Sequence, residues 1–367
     1  MNLAQNYYTH DQIWDMLCSH DRKVHYEYSV QDNDGKLLGW LSSCSGRISF
    51  DSSTSVMRTF SGEAKKSEIL DINLIDERIM PWFCLTLRDG EVLRYPLGKF
   101  IISPSFKTDG PESLVDIVGY DLGKIALDDK LVSRTVKSAD QYYSHDLQAM
   151  LDELYPSYEI VASDKKRRNH CEWEPGTSKL KVINDTLSSI NYYPLHFDEY
   201  GIPKAAAYVF PEECSVDAYY KVDKKSIILP GVTLTSNRFD IPNKFVRYVE
   251  NTDGEYLVSS YTNEKPDNIF STVNRGRTIV DISSVSDIAS QEDLDDYVKR
   301  CASAVMTVSD QIKFKSLNMP GHGFKTCLFL ENEGMGILGK YIETGWEMDL
   351  TVGGEMLHRC TKVVSVL

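Results

Sequence analysis

The sequence predicts an α+β fold that is mainly β, built from two antiparallel β-barrel domains with an α/β insert between them. Short strand-like segments at close spacing fill residues 20–123 and recur after residue 226, which is typical of a barrel or a sandwich. Residues 173–201 combine a helical apolar period with an aromatic, strand-like exit. A helical segment near 286–310 interrupts the second β region. We therefore expect domains at 1–123, 124–225 and 226–367.

Length and composition are those of a globular protein. The 367 residues suffice for about two to three domains with their own cores. The chain has no run of about 18 apolar residues, so we expect no membrane insertion, and its N-terminal segment does not have the pattern of a secretory signal. The eight cysteines are scattered and form no C-x-x-C motif, which favours reduced, mostly buried thiols in a protein made in a cytosol.

The charge balance is acidic, with 54 acidic against 40 basic residues and a net charge of -14. A nucleic-acid-binding protein needs a basic footprint on its surface, so no sequence-specific nucleic-acid binding is predicted. Acidic surface can still face DNA, because a channel through which DNA slides benefits from weak binding.

The first β region begins with a short helix at residues 9–18, where Thr9 and Gln12 fit a capping box. Residues 23–30 alternate in polarity and precede a strong turn signal at 33–35. Further strands are predicted at 37–41, twice within 46–63, at 69–74, at 82–87, at 92–102 with a break at 96–98, and at 114–120.

The insert and the second β region follow with two helix signals and several hairpins. One helix is predicted from a cap at Ser144 to Pro156, and a second from Thr177 or Ser178 with an apolar stripe down to Ile190. Residues 202–225 and 262–285 look irregular. Later elements are strands at 245–250 and 256–261 around a turn at 251–254, a helix from Ser290, and strands at 325–330, 339–343, 347–352 and 359–366.

Motifs that carry chemistry are weak. Gly334, Gly336 and Gly339 match G-x-G-x-x-G, but a strand-like segment follows them where a nucleotide site requires a helix, so we expect a glycine-rich β-turn. The eight histidines form no H-x-x-x-H or H-E-x-x-H motif, and neither His170 nor His358 has a partner at metal-ligand spacing. We therefore expect structural histidines.

Two short stretches keep alternatives open. Glu172 and Glu174 flank Trp173 and could serve a carbohydrate-active or cell-wall-degrading enzyme, if burial raised the pKa of one of them. Residues 165–168 read K-K-R-R, which favours a solvated loop or a patch for an acidic partner. The 21 tyrosines suit interfaces as well as cores, so a host-binding module is a further alternative.

Four stretches occur in a fixed order along the chain. Residues 45–51 with 56–59 read S-G-R-I-S-F-D and V-M-R-T, residues 95–102 read Y-P-L-G-K-F-I-I, and residues 241–244 read I-P-N-K. Residues 173–201 contain W-x-P-G, S-K-L, I-N-Y, P-L and D-x-x-G in sequence. Together they resemble the baseplate hub of contractile phage tails and the N-terminal hub part of tail-tip proteins in long-tailed phages.

The resemblance implies a homotrimer in which each chain supplies two barrels of the tail-tube type, so that three chains form a pseudo-sixfold ring. It implies a tail tube or distal tail protein as the partner above, and a central spike or tail fibre protein below. The lumen would pass DNA, or ions in a phage-like bacteriocin, and could hold the tape measure protein. It also implies a virion tail location, at the baseplate or tip, after synthesis in the bacterial host cytoplasm.

The same resemblance implies a structural protein without catalytic, cofactor-binding or metal-binding residues. In these hubs a large C-terminal extension, where present, carries fibre binding or cell-wall hydrolysis. The sequence stops at Leu367 without such an extension, which favours a separate spike protein and argues against an enzyme.

Overall fold

The computed structural model describes residues 2–70, 72, 77–105, 113–236, 239–250, 256–285, 287–307 and 310–363. Strands outnumber helices throughout these ranges, which confirms the α+β, mainly β class. The turn predicted at 251–254 lies outside the described residues. No helix in the described ranges has both the length and the apolar character needed to cross a membrane.

The N-terminal β region follows the predicted hairpin order closely. Its elements are α1 (His10–Leu17), β1 (Lys23–Gln31), β2 (Leu37–Leu41), β3 (Cys44–Asp51), β4 (Arg58–Lys65), α2 (Lys66–Leu70), β5 (Arg78–Thr86), β6 (Val92–Pro96), β7 (Phe100–Ser105) and β8 (Leu114–Asp121). The capping box of α1 is confirmed, because the Thr9 amide donates to Gln12 Oε1 over 2.9 Å and Thr9 Oγ1 accepts from the Gln12 amide. The strand predicted at 69–74 is wrong at its start, since residues 69 and 70 belong to α2, which buries Ile69. Residues 71, 73 and 74 of that strand lie outside the described residues.

The middle of the chain is a small α/β unit. Its elements are α3 (Gly123–Asp128), β9 (Thr135–Lys137), α4 (Tyr143–Leu154), β10 (Glu159–Ile160), β11 (Cys171–Trp173), α5 (Lys179–Ser189), β12 (His196–Phe197) and β13 (Pro203–Ala205). Ser178 caps α5 as predicted, accepting from the Lys181 amide over 3.2 Å. The predicted cap at Ser144 is wrong: extended Tyr142 is the cap, and helix α4 starts at the buried Tyr143.

The C-terminal part mixes long strands with one long helix. Its elements are β14 (Ala218–Lys221), β15 (Thr233–Ser236), β16 (Lys244–Glu250), β17 (Tyr256–Thr262), α6 (Thr272–Arg275), β18 (Val280–Ser284), α7 (Gln291–Thr307), β19 (Asp310–Leu317), β20 (Cys327–Asn332), β21 (Ile337–Asp349) and β22 (Glu355–Lys362). Helix α7 confirms the helix predicted near 286–310. Residues 202–225 and 262–285 are more regular than predicted, because β13, β14, α6 and β18 lie in them.

One continuous sheet joins the two β regions. Fourteen strands of the described residues form it, with β15, β19, β22, β21, β3, β4, β8, β7, β5, β1 and β2 in path order, β14 and β20 attached through β21, and β6 through β5. The junction is the antiparallel pair β21–β3, where Trp346 lies opposite Phe50 and their rings stack at 5.9 Å. Gly345 is needed there, since a Cβ atom on it would lie 2.8 Å from the Phe50 carbonyl oxygen.

The apolar cores follow this connectivity. The largest core contains residues of both β regions, among them Phe60, Phe314 and Trp346. A second core lies in the α/β unit around Leu147 and Leu187, and two small cores lie between α7 and the separate sheet β17–β16–β18. The boundaries expected at 123/124 and 225/226 stay a prediction.

The eight cysteines are all free thiols. Cys84, Cys327 and Cys360 are buried, and the other five are only half-buried. The prediction that most of the thiols are buried is therefore wrong. Burial raises the pKa of the Cys18 thiol to about 11 and that of Cys84 to about 12, which keeps these groups protonated and unreactive at neutral pH.

Candidate functional site

A polar cluster lies inside the largest core, where β21, β22 and the loop after β19 meet. Its centre is Glu343, flanked by His322 and His358, and none of the three side chains is exposed. His322 Nδ1 lies 2.7 Å from Glu343 Oε2, and His358 Nδ1 lies 2.7 Å from Glu343 Oε1. One carboxylate therefore holds two imidazole rings, one on each oxygen.

The outer ring nitrogens also have oxygen partners. The Tyr220 hydroxyl is 2.9 Å from His322 Nε2, and Ser316 Oγ is 2.8 Å from His358 Nε2. The Ser316 hydroxyl also lies 2.8 Å from the Leu317 carbonyl oxygen. The five side chains thus form a network with a fixed geometry, rather than isolated polar groups in an apolar core.

Strand register explains how the cluster assembles. Residues of β22 alternate between faces, so His358 points into the core beside Met356 and Cys360. The neighbouring strand β19 places Phe314 directly opposite His358, and their rings stack at 4.4 Å. Tertiary pairing of separate strands therefore positions each group.

Burial and the paired histidines act in opposite directions on the central carboxyl. Burial alone would raise the pKa of Glu343, but the two histidines outweigh burial and hold that pKa below its ordinary value. Burial lowers the pKa of His358, and its contact with Glu343 does not offset this. The lowered pKa of Glu343 favours its carboxylate form, and the lowered pKa of His358 favours its neutral imidazole form.

Sequence reasoning missed this cluster because the partners are far apart along the chain. His322 and Glu343 are separated by 21 positions, and Glu343 and His358 by 15. No local motif has such spacing, and a lone histidine in an apolar strand is usually structural. The alternation of His358 with buried neighbours was the available signal, since it indicated an inward-facing imidazole that needs a partner.

The acidic residues proposed for an enzyme lie at a cleft of about 470 Å³ beside α5. The Glu172 and Glu174 side chains are 44% and 74% exposed, and both lie next to Arg134. Trp173 donates through Nε1 to Asp185 Oδ2 over 2.9 Å. Both carboxylates therefore lie in solvent beside a cation. The enzyme hypothesis requires instead that burial removes one of the two carboxyl groups from water and raises its pKa.

The basic run at residues 165–168 is only in part the solvated loop, or patch for an acidic partner, that the sequence predicted, because Lys166 is exposed but Arg167 is buried. Arg167 is 1% exposed and donates through Nη1 to Asp146 Oδ2 over 2.6 Å. Its guanidinium lies 4.8 Å from the ring centroid of Tyr143, whose hydroxyl donates to Asp287 over 2.6 Å. Lys165 pairs with Asp293 at the start of α7. Arg167 therefore connects two segments within the α/β unit, and Lys165 connects the unit to α7.

The glycine motif is a turn, as predicted. A short 3₁₀ segment, Glu333–Met335, connects β20 to β21, which pair antiparallel. Gly336 and Gly339 have positive φ angles of 65° and 143°, which glycine adopts without strain. Strand β21 follows immediately, so the motif has no helix N-terminus that could receive a pyrophosphate.

Two strands end the path of the large sheet. Among the described residues, β2 pairs only with β1, and β15 only with β19. Leu37, Leu38 and Trp40 on β2 are about half exposed, and Leu234 on β15 is too. Unpaired strand edges with exposed apolar side chains are typical of surfaces that bind another chain. Exposed tyrosines elsewhere are Tyr7, Tyr142, Tyr200 and Tyr219.

Comparison with known proteins finds similarity in structure and not in sequence. No family model matches the sequence, and no curated protein matches it significantly. The chain resembles a tail protein from Neisseria meningitidis MC58 with a TM-score of 0.62 and 13% identity, over 92% of this chain and 97% of that one.

Two prophage proteins have the same architecture. The 43 kDa tail protein of prophage MuSo2 from Shewanella oneidensis matches with a TM-score of 0.59 and 11% identity, over 92% of this chain and 98% of its own. A prophage tail protein from Listeria monocytogenes EGD-e gives 0.56 and 11%, over 93% and 96%. The resemblance inferred from sequence is confirmed at the level of the fold: the chain has the fold of tail proteins, prophage examples among them.

Proposed function

We propose that this chain is the structural hub of the tail of a phage or phage-like particle. In this proposal three copies form a ring that adapts the sixfold tail tube, or a distal tail protein, to a threefold spike or fibre. Each copy supplies two barrels of the tail-tube type, from residues 1–123 and 226–367, with 124–225 as the insert. The ring belongs to the baseplate or tail tip of the virion and acts without catalysis.

The observation that carries the proposal is the junction of β21 with β3. It makes the two β regions parts of one sheet, whose path ends at two different strands, β2 and β15. Because β2 and β15 are two different edges, the β2 edge of one copy can contact the β15 edge of the next in a head-to-tail arrangement. Such contacts close into a ring when the rotation from one copy to the next is a whole fraction of a full turn. The shared fold with tail proteins supports the same proposal.

The acidic balance fits a ring that encloses a passage. A net charge of -14 favours a lumen that repels DNA and lets it slide, or one that passes ions in a bacteriocin-like particle. The proposed partners are a tail tube or distal tail protein, a spike or fibre protein, and a tape measure protein within the lumen.

The test is the mass and shape of the purified chain, alone and with a tail-tube protein of its particle. Light scattering should give about 125 kDa for three chains of 41.7 kDa, and negative-stain images should show a ring with a central hole. A chain that stays monomeric both alone and with that neighbour would contradict the proposal.

A further inference from the structure

The His322–Glu343–His358 cluster contains a buried carboxylate whose basic partners are two histidines. Glu343 is fully buried, and within the described ranges its ion-pair partners are the two histidines, with no lysine or arginine among them. A buried carboxylate is strongly disfavoured unless a cation pairs with it or coordinates it. The positive charge comes either from a proton on one of the histidines or from a bound cation.

Ser316 offers His358 a partner on its outer ring nitrogen. Its Oγ lies 2.8 Å from both the Leu317 carbonyl oxygen and His358 Nε2. When the hydroxyl donates to the carbonyl, Nε2–H can donate to Oγ. Nδ1, 2.7 Å from the Glu343 carboxylate, then has a lone pair for a bound cation.

The donor set indicates which cation fits. The two imidazole nitrogens and the carboxylate oxygens lie within 4.8 Å of one another. Imidazole with carboxylate is a common ligand set for Zn²⁺ and neighbouring divalent transition ions. The Ser316 contact to the outer nitrogen of His358 is the arrangement that orients a metal-bound histidine. We propose that His322, Glu343 and His358 form a buried binding site for one divalent transition-metal ion, with Zn²⁺ the expected one.

The ion would act as a structural clamp. It would tie the loop after β19, which carries His322, to strands β21 and β22 in the core. Metal ligation requires each nitrogen–oxygen pair to open beyond its 2.7 Å separation. The loop can supply this movement for His322, which lies between Gly321 and Gly323, whereas the His358–Glu343 pair has to open by rotation of the side chains. This inference is independent of the proposed hub function.

A second group of possible ligands, His25, Glu27 and Cys84, fits less well. Arg94 already engages both Glu27 oxygens, over 2.7 and 3.1 Å, so a cation is present there. His25 and Glu27 are also partly exposed. This group serves as the control for adventitious surface binding.

The first experiment uses the full-length chain without a metal-binding tag, purified without chelator. Elemental mass spectrometry of the purified chain should find about one zinc per chain. Unfolding with chelator and refolding with Co²⁺ should give one equivalent of bound Co²⁺, a visible absorption band, and a higher unfolding temperature than the metal-free chain. The proposal would be overturned if the purified chain contained zinc only at background level and the refolded chain bound no Co²⁺. A single proton would then be what lies between Glu343 and the histidines.

The second experiment locates the metal. Glu343→Gln and His358→Gln should each reduce bound metal to background, whereas His25→Gln should keep it. Equal metal content in all three variants, or loss only in His25→Gln, would overturn the assignment. If the two core variants do not fold, the metal content of the purified wild-type chain still decides.

Discussion

Arg167 and Asp146 form a buried ion pair inside the α/β unit, with 2.6 Å between Nη1 and Oδ2 and 1% of the arginine side chain exposed. Lys137 also donates to Asp146 over 2.7 Å, so one carboxylate holds two cations. The pair connects helix α4 to the segment before β11. Within the basic run at 165–168, Arg167 is therefore an internal link of the fold and not part of a surface patch.

Removing the carboxylate should destabilise the protein strongly. Asp146→Ala leaves the buried Arg167 charge with only a long contact, 3.9 Å from its Nε to Asp287 Oδ2, and should lower the free energy of unfolding by about 3 kcal/mol, the low end for broken buried pairs. Urea unfolding followed by circular dichroism measures this. Asp21→Ala is the matched control, because its pair with Arg88 is exposed and its loss should be within error of wild type. Equal losses in the two variants would argue against a buried pair.

The same carboxylate predicts a pH dependence. Burial raises the pKa of Asp146, but the hydrogen bonds from Lys137 and Arg167 outweigh burial and hold it below its ordinary value. The stabilisation is therefore complete above the ordinary carboxyl pKa of about 4, and is lost as pH falls below that through the folded-state pKa. The difference in unfolding free energy between wild type and Asp146→Asn should be constant from pH 7 to about 5 and shrink below about 4. A difference that does not change down to the acid transition would refute this.

The junction between β21 and β3 should not tolerate a side chain at position 345. Gly345→Ala places a Cβ atom 2.8 Å from the Phe50 carbonyl oxygen, so we expect a loss of about 1–3 kcal/mol. Gly39→Ala on β2 is the control, because nothing lies within 4 Å of its added Cβ atom, and its effect should stay within about 0.5 kcal/mol. Thermal and urea unfolding of both variants measure the difference. A harmless Gly345→Ala would mean that the two β regions are not held at this junction.

The exposed edge of β2 should matter for assembly and not for folding. Trp40→Lys puts a charge on an apolar edge strand and should lower the ring population in light scattering at unchanged unfolding temperature. The control is Val132→Lys, since Val132 is 97% exposed and lies outside the large sheet. If both variants assemble like wild type, β2 is not part of the interface between copies.

Local rules predicted most of the individual elements. The capping box at Thr9 and Gln12, the cap at Ser178 and the glycine turn before β21 each depend on residues within a few positions, and all three are present. The wrong start of α4 has a local origin too, because the burial of Tyr143 outweighs the capping preference of Ser144.

Features that depend on distant residues could not be predicted. Charge alone cannot tell a buried Arg167 from a solvated one, because the difference comes from Asp146, 21 positions earlier. The partners of His358 come from other strands and a loop. The sequence also does not show that β21 pairs with β3, because the alternation of inward and outward residues along a strand is the same whichever strand lies beside it.

The β21–β3 pairing also sets the order in which the chain can fold. Arg47 on β3 binds Asp349 on β21, 302 positions later, so this part of the sheet is among the most non-local contacts in the molecule. Non-local strand pairing slows folding, because a long loop must close before the contacts form. During synthesis the first β region leaves the ribosome with the edge of β3 unpaired, and it keeps that edge until β21 has emerged. A charged side chain on an unpaired edge strand disfavours pairing with another chain, and Arg47 lies on this edge.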